Sequence, residues 1–319
     1  MYNSLSYKSK QFFWLIIKLS IVIGCGYFIQ QRLTSNNKLQ FSAFYQNLIK
    51  NDIFSIKNSI FLFIFTFLNW FLEITKWEIL ASFCVKTSKK NATIQSLASL
   101  TTSLITPNRI GEYGAKALYF NKSLRKQVVG LNIIGNFYQM IITLFLGVIG
   151  FLYFVYKHNI SIDYSKISRF VWIVFLVILV LIFGINYFKS KNNFVEKVKT
   201  FIDRIPLKLN LKVGFISLLR FLVFSHQFYF VLLLFKVDIS YLDAISAITT
   251  VYFISSMVPM LSLFDFVLKG TVAIWVFSFF TIEPFVILSA TTIMWVFNFV
   301  LPAIIGSYFV LTFKPNFVK

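Results

Sequence analysis

Acidic residues are scarce in this chain: 11 Asp and Glu stand against 31 Lys and Arg among 319 residues. Cysteine and histidine number 2 each and proline 6. Cys25 and Cys84 lie singly in apolar surroundings, so they form neither a metal spacing nor a CxxC pair, and read as small buried hydrophobes. No nucleotide loop, zinc ligand set or nucleophile with an adjacent base is present. The sequence therefore predicts no catalytic residue, no metal and no cofactor. Charged residues make up only 13% of the chain, whereas 58% is hydrophobic and 41 residues are Phe. A soluble domain cannot hide that much apolar surface, but a multi-pass membrane protein has no need to. The basic excess falls between apolar runs, where it sets membrane orientation. No basic stripe with stacking aromatics marks a polar domain, which argues against nucleic acid.

The apolar runs come in a regular order. Residues 12–29 form a first run behind Lys8 and Lys10, with no clean small-residue cleavage site, so it is expected to be a retained span. Residues 60–83 form a second. A short run at 92–105 is followed by a polar break and an amphipathic piece ending near residue 120, and a full run covers 128–156. The order then recurs: runs at 170–188 and 213–235, a broken region over 244–280, and a final run at 284–313. Corresponding elements are offset by about 155 residues, as a duplication would leave them. Pro107 answers Pro259, and Glu112 answers Asp265.

Charge placement selects a topology. If each broken segment enters and leaves on one side, and the N-terminus is cytoplasmic, the basic stretches near 86–90, 109–126 and 189–212 all fall inside. Full crossings would move Lys122–Lys126 and the basic segment Lys189–Lys212 outside, against the positive-inside rule. The two halves then run antiparallel, and their hairpins approach from opposite faces to meet near the midplane.

The stretch 103–114 carries the chemistry. Pro107 breaks the helix, Gly111 and Gly114 relax the backbone, and Asn108, Arg109 and Glu112 are polar groups in an oily setting. A helix starting near Pro107 offers free N–H groups and a positive dipole end to an anion, and Arg109 adds a fork of donors. The group reads as a headgroup clamp or, more plainly, as an internal salt bridge holding the hairpin. Asp265 and Lys269, four apart, flank a second break between Pro259 and Gly270, either as part of the same site or as a self-contained pair. Glu73 and Lys76, three apart, are a further pair, facing the bundle or sitting near the interface. Arg220 belongs to the site or snorkels to the surface; His226 ranks below it.

The pattern Pro-x-Arg-x-Gly-Glu at 107–112 resembles the signature of the flippase-like transmembrane region of lysylphosphatidylglycerol synthase. The stretch 259–270 is similar to that family's second motif, without its Pro-Gly-Gly element and with Asp265 and Lys269 where Glu and Arg are common. The resemblance implies an integral membrane protein that binds or translocates a lipid. The soluble aminoacyl-transferring domain has no counterpart here, so lipid aminoacylation by this chain alone is not expected. The sequence thus predicts one all-α transmembrane domain over residues 1–319. It comprises two inverted repeats, about 10–157 and about 168–313, each with three spans and one re-entrant hairpin, or about six full spans in eight hydrophobic segments. The expected partners are membrane lipids and an envelope-biosynthesis enzyme, at the cell inner membrane with both termini cytoplasmic. The competing functions are a membrane glycosyl or acyl transferase and a non-transporting partner subunit.

Overall fold

The computed structural model describes residues 52–104, 106, 110–160, 200–257 and 262–313. The runs expected at 12–29 and 170–188 lie outside the described residues. Every regular element among those described is helical. We number them α1 (Ile56–Ser82), α2 (Lys89–Leu104), α3 (Ile110–Leu118), α4 (Arg125–Lys157), α5 (Leu207–Leu234), α6 (Tyr241–Met257), α7 (Ser262–Ser278) and α8 (Pro284–Trp295). A π-helical turn, Val296–Val300, then runs into α9 (Leu301–Thr312). The order is thus long, short, short, long, and the same again. Among the described residues, four helices are long and apolar enough to cross a membrane: α1, α4, α5 and the continuous Pro284–Thr312 rod.

Helix α1 shows why these helices suit lipid. Ser55 caps it, its hydroxyl accepting from the Asn58 N–H. Its buried stripe runs Leu62, Thr66, Asn69, Glu73, Lys76 and Leu80, at alternating spacings of four and three. Four of those six are polar or charged. The opposite face exposes Phe63, Phe67 and Phe71. In water that arrangement would be inside out; in a bilayer it is the low-energy one. Helix α4 repeats the logic, burying Asn132, Gly135, Gly147 and Gly150 while Phe137, Phe145 and Leu152 face outward.

Two compact units divide the chain, residues 1–154 with 213–319, and residues 155–212. The described part of the second contains the end of α4, a turn at Asn159 with φ 46°, and the start of α5. All packing below belongs to the first unit.

Helices α1 and α5 lie antiparallel: Leu62 and Thr66 meet Gln227, whereas Asn69 and Glu73 meet Arg220. Helix α2 packs chiefly on α9, where Gly306 presses on α2 so closely that a Cβ would overlap the Leu97 carbonyl and Thr101 Oγ1. A reciprocal crossing joins α4 to α6: a Cβ at Gly150 would overlap Thr249 Oγ1, and one at Gly147 would collide with Phe253. Small residues let membrane helices approach to this distance.

The break between α2 and α3 is closed by side chains. Gly111 N–H, an orphan donor in the first turn of α3, donates to Thr106 Oγ1 at 2.8 Å. Gly111 has helical geometry, and its lack of a side chain serves a close approach: a Cβ would lie 2.5 Å from the Thr102 carbonyl oxygen. The backbone freedom expected of Gly111 and Gly114 is not used. Gly114 is likewise helical, with nothing within 4 Å of a Cβ, and Gly270 makes ordinary contacts with Leu288 and Thr291. Pro107 and Pro259 lie outside the described residues.

Candidate functional site

The π-helical turn follows from Pro302. Proline has no N–H to give the carbonyl four residues back, and its ring crowds that carbonyl. The carbonyl belongs to Asn298, and the rod widens there by one residue per turn. Trp70 Nε1 on α1 supplies the missing donor, at 3.1 Å. The Asn298 side chain meanwhile accepts from Asn69 Nδ2 at 2.8 Å and donates to Gln227 Oε1 at 2.9 Å. Gln227 Nε2 donates in turn to Thr66 Oγ1 at 3.0 Å. A ring of amides therefore ties α1, α5 and the π turn together, with Asn298, Asn69 and Gln227 each 3% exposed or less.

Charges continue from this ring. Arg220 Nε donates to Asn69 Oδ1 at 3.0 Å, and its Nη1 lies 2.7 Å from Glu73 Oε2. Lys76 reaches the same oxygen at 2.8 Å. Lys116, on α3, sits 4.0 Å from Glu73 Oε1 and 2.8 Å from Glu112. Its ammonium also donates to Asn132 Oδ1 on α4 at 2.9 Å and lies 4.4 Å from the centre of the Trp77 ring. Trp77 is fixed by donating to Gln95 on α2 at 2.7 Å. One carboxylate on α1 thus gathers cations from three helices, and the second joins the network through Lys116.

Magnitudes show that this cluster is no economical way to hold helices together. At about 2.8 Å and an effective dielectric of ~20, an ion pair attracts by about 6 kcal/mol. Stripping water from each ion costs several kcal/mol, so a buried pair roughly breaks even against apolar packing. Five charged side chains drawn together inside an apolar bundle make this cluster the candidate site. Three are cations and two are carboxylates, leaving an excess of one positive charge among the described members.

Beside Arg220 the network opens on a cavity of about 270 Å³. Its walls include Asn69 and Trp70 from α1, Gln139 from α4, Tyr252 from α6, Lys269 from α7 and Phe299 from the π turn. Ligand cavities in proteins typically start near 300 Å³.

Of the residues expected in the site, Glu73, Lys76, Glu112 and Arg220 come together in one network. Arg220 does not snorkel: it is paired to Glu73 and half-buried. Lys269 lines the cavity, 5.9 Å from the centre of the Phe299 ring. Asn108, Arg109 and the side chain of Asp265 lie outside the described residues. His226 is half-buried, bonded to Leu222 and Tyr241 away from the network. Lys116 corrects the topology reading, which counted it with the cytoplasmic loops: it is 1% exposed and ion-paired. Its spacing of four from Glu112 was the available signal. Cys84 is half-buried rather than buried, and its thiol donates to Gln127 Oε1 at 3.4 Å.

Among the described residues, no group of three or more His, Cys, Asp or Glu side chains is placed to hold a metal ion. Glu73 and Glu112 are instead occupied by lysine and arginine. No protein-family model, curated protein or solved structure matches this chain.

Proposed function

We propose that this protein is a flippase-like lipid carrier of the inner membrane, in which the Glu73–Arg220 network and its cavity receive a lipid headgroup near the midplane. The observation that carries this reading is the inversion of α1, with ionised and amide side chains inward and phenylalanines outward. A polar path inside an apolar bundle is what a headgroup needs to cross hydrocarbon.

Two inverted repeats, each with a re-entrant hairpin, account for the order of long and short helices. Helices α2 and α3, at 16 and 9 residues, are too short to span a hydrocarbon core of ~30 Å at ~1.5 Å per residue. Helices α6 and α7, 17 residues each, form the second such pair. The crossings of Gly306 on α2 and of Gly150 on α6 support a two-fold relation, because each half lays its last long helix on the other's first short one. Both termini are then cytoplasmic. The motif at 107–112 and its likeness to the lysylphosphatidylglycerol synthase transmembrane region agree with this reading.

The test is leaflet exchange. Vesicles carrying a fluorescent phospholipid and the purified chain are treated with a quencher that reaches only the outer leaflet. Exchange should let nearly all the label be quenched, and Arg220→Gln should return the vesicles to the half-quenched level of protein-free ones. Half-quenching with the folded wild-type chain would defeat the proposal.

A further inference from the structure

Two hydroxyls on the α6 wall of the cavity, Tyr252 Oη and Ser255 Oγ, are buried and have no hydrogen-bond partner. Their residues are 8% and 4% exposed. A buried polar group left unsatisfied is costly, and most such groups in proteins are paired. Two of them three residues apart on one helix, in residues that line one cavity, mark a place where something accepts hydrogen bonds. The remaining walls say what kind of acceptor. Arg220 and Lys269 both line the cavity, and no carboxylate stands among its described lining residues. Arg220 commits Nε to Asn69 and Nη1 to Glu73, and its Nη2 has no partner among the described residues.

We propose that this cavity binds a phosphate-type oxyanion, so that the headgroup it takes is a phosphomonoester or phosphodiester of net negative charge. A phosphate offers several acceptor oxygens and accepts from guanidinium, ammonium and hydroxyl donors together. A headgroup with a terminal ammonium would bring a further cation beside Arg220, in a network whose described members already carry one positive charge in excess. An adjoining pocket of about 40 Å³ shares Phe224, Tyr252, Lys269 and Phe299 with the cavity and is otherwise lined mainly by apolar side chains. This inference rests on the carrier reading for its lipid source, but its chemistry holds equally for a free phosphate.

The experiment measures equilibrium binding to the purified full chain in detergent. The probes are phosphatidylglycerol, phosphatidylcholine, lysyl-phosphatidylglycerol and inorganic phosphate, with leaflet exchange measured in parallel. Phosphatidylglycerol should bind at least tenfold more tightly than the lysylated lipid. Tyr252→Phe and Ser255→Ala, which remove a hydroxyl without touching the ion network, should each weaken it about fivefold with unchanged thermal stability. Equal binding of all three lipids, or no effect of either variant, overturns the inference while leaving the carrier reading intact if exchange persists. Inorganic phosphate binding as tightly as phosphatidylglycerol, without lipid exchange, upholds the oxyanion site and removes the carrier reading.

Discussion

Replacing Glu73 with glutamine tests the ion network with little change of shape. The carboxylate meets Arg220 at 2.7 Å, Lys76 at 2.8 Å and Lys116 at 4.0 Å. Lys76 is 2% exposed and Lys116 1%, so neither reaches water when its counter-charge goes. Glutamine keeps the volume, so no cavity term enters. What remains is three cations answered by Glu112 alone among the described members. Breaking a buried pair from one side costs about 3–5 kcal/mol. At about 1.5 °C per kcal/mol for a chain of this length, the Tm should fall by roughly 5–7 °C. The assay is thermal unfolding of purified protein followed by size-exclusion chromatography. Two companions sharpen it. Glu78→Gln removes the half-exposed partner of Lys89 at 3.1 Å and should cost under ~1 kcal/mol. Adding Lys76→Met to Glu73→Gln removes one stranded cation and should restore a large part of the loss. A Glu73→Gln protein melting with the wild type would refute the buried-network argument.

Gly306→Ala should destabilise by about 1–3 kcal/mol, since its Cβ would meet the Leu97 backbone, which cannot yield. Gly114→Ala, with open space around its Cβ, should gain up to ~1 kcal/mol; equal melting shifts for the two would contradict the crossing. Trp70→Phe leaves the Asn298 carbonyl without its donor and should cost about 1–3 kcal/mol. Pro302→Ala restores an N–H for that carbonyl, so the double variant should recover part of the loss, and strictly additive losses would count against the π-turn explanation. Burial pushes the Cys84 thiol up, so less thiolate forms at pH 8. In a Cys25→Ser background it should alkylate more slowly than a cysteine at exposed Lys86 and gain more from a rise in pH. Equal rates and equal pH gains at both positions would contradict that shift.

Much of the helical plan is legible in the sequence because it rests on local properties: run length, proline position and the three- or four-residue spacing of charges. Glu73 and Lys76 pair as their spacing implies. Lys116 was hidden because a basic residue between two apolar runs looks like a loop residue; only its register with Glu112 and the arrival of Asn132 from α4 show otherwise. Asn298 was beyond reach for a different reason. Its partner Asn69 is 229 positions away, and a lone amide in an apolar run carries no period. Its role depends on Pro302 opening the helix and on α5 lying antiparallel to α1, which are properties of the assembled bundle. Tyr252 and Ser255 likewise look like ordinary helix residues until α6 is seen to wall a cavity.

The account stands on headgroups passing through that cavity, and blocking it is the most direct measurement. Ser256 lines it and is exposed, so Ser256→Cys in a Cys25→Ser, Cys84→Ser background gives a thiol at its edge. Ile304→Cys, 59% exposed on α9, is the outward-facing control. Labelling position 256 with a bulky sulfonated thiol reagent should stop leaflet exchange, while labelling position 304 leaves the rate unchanged. Undiminished exchange with position 256 fully labelled would contradict the central claim.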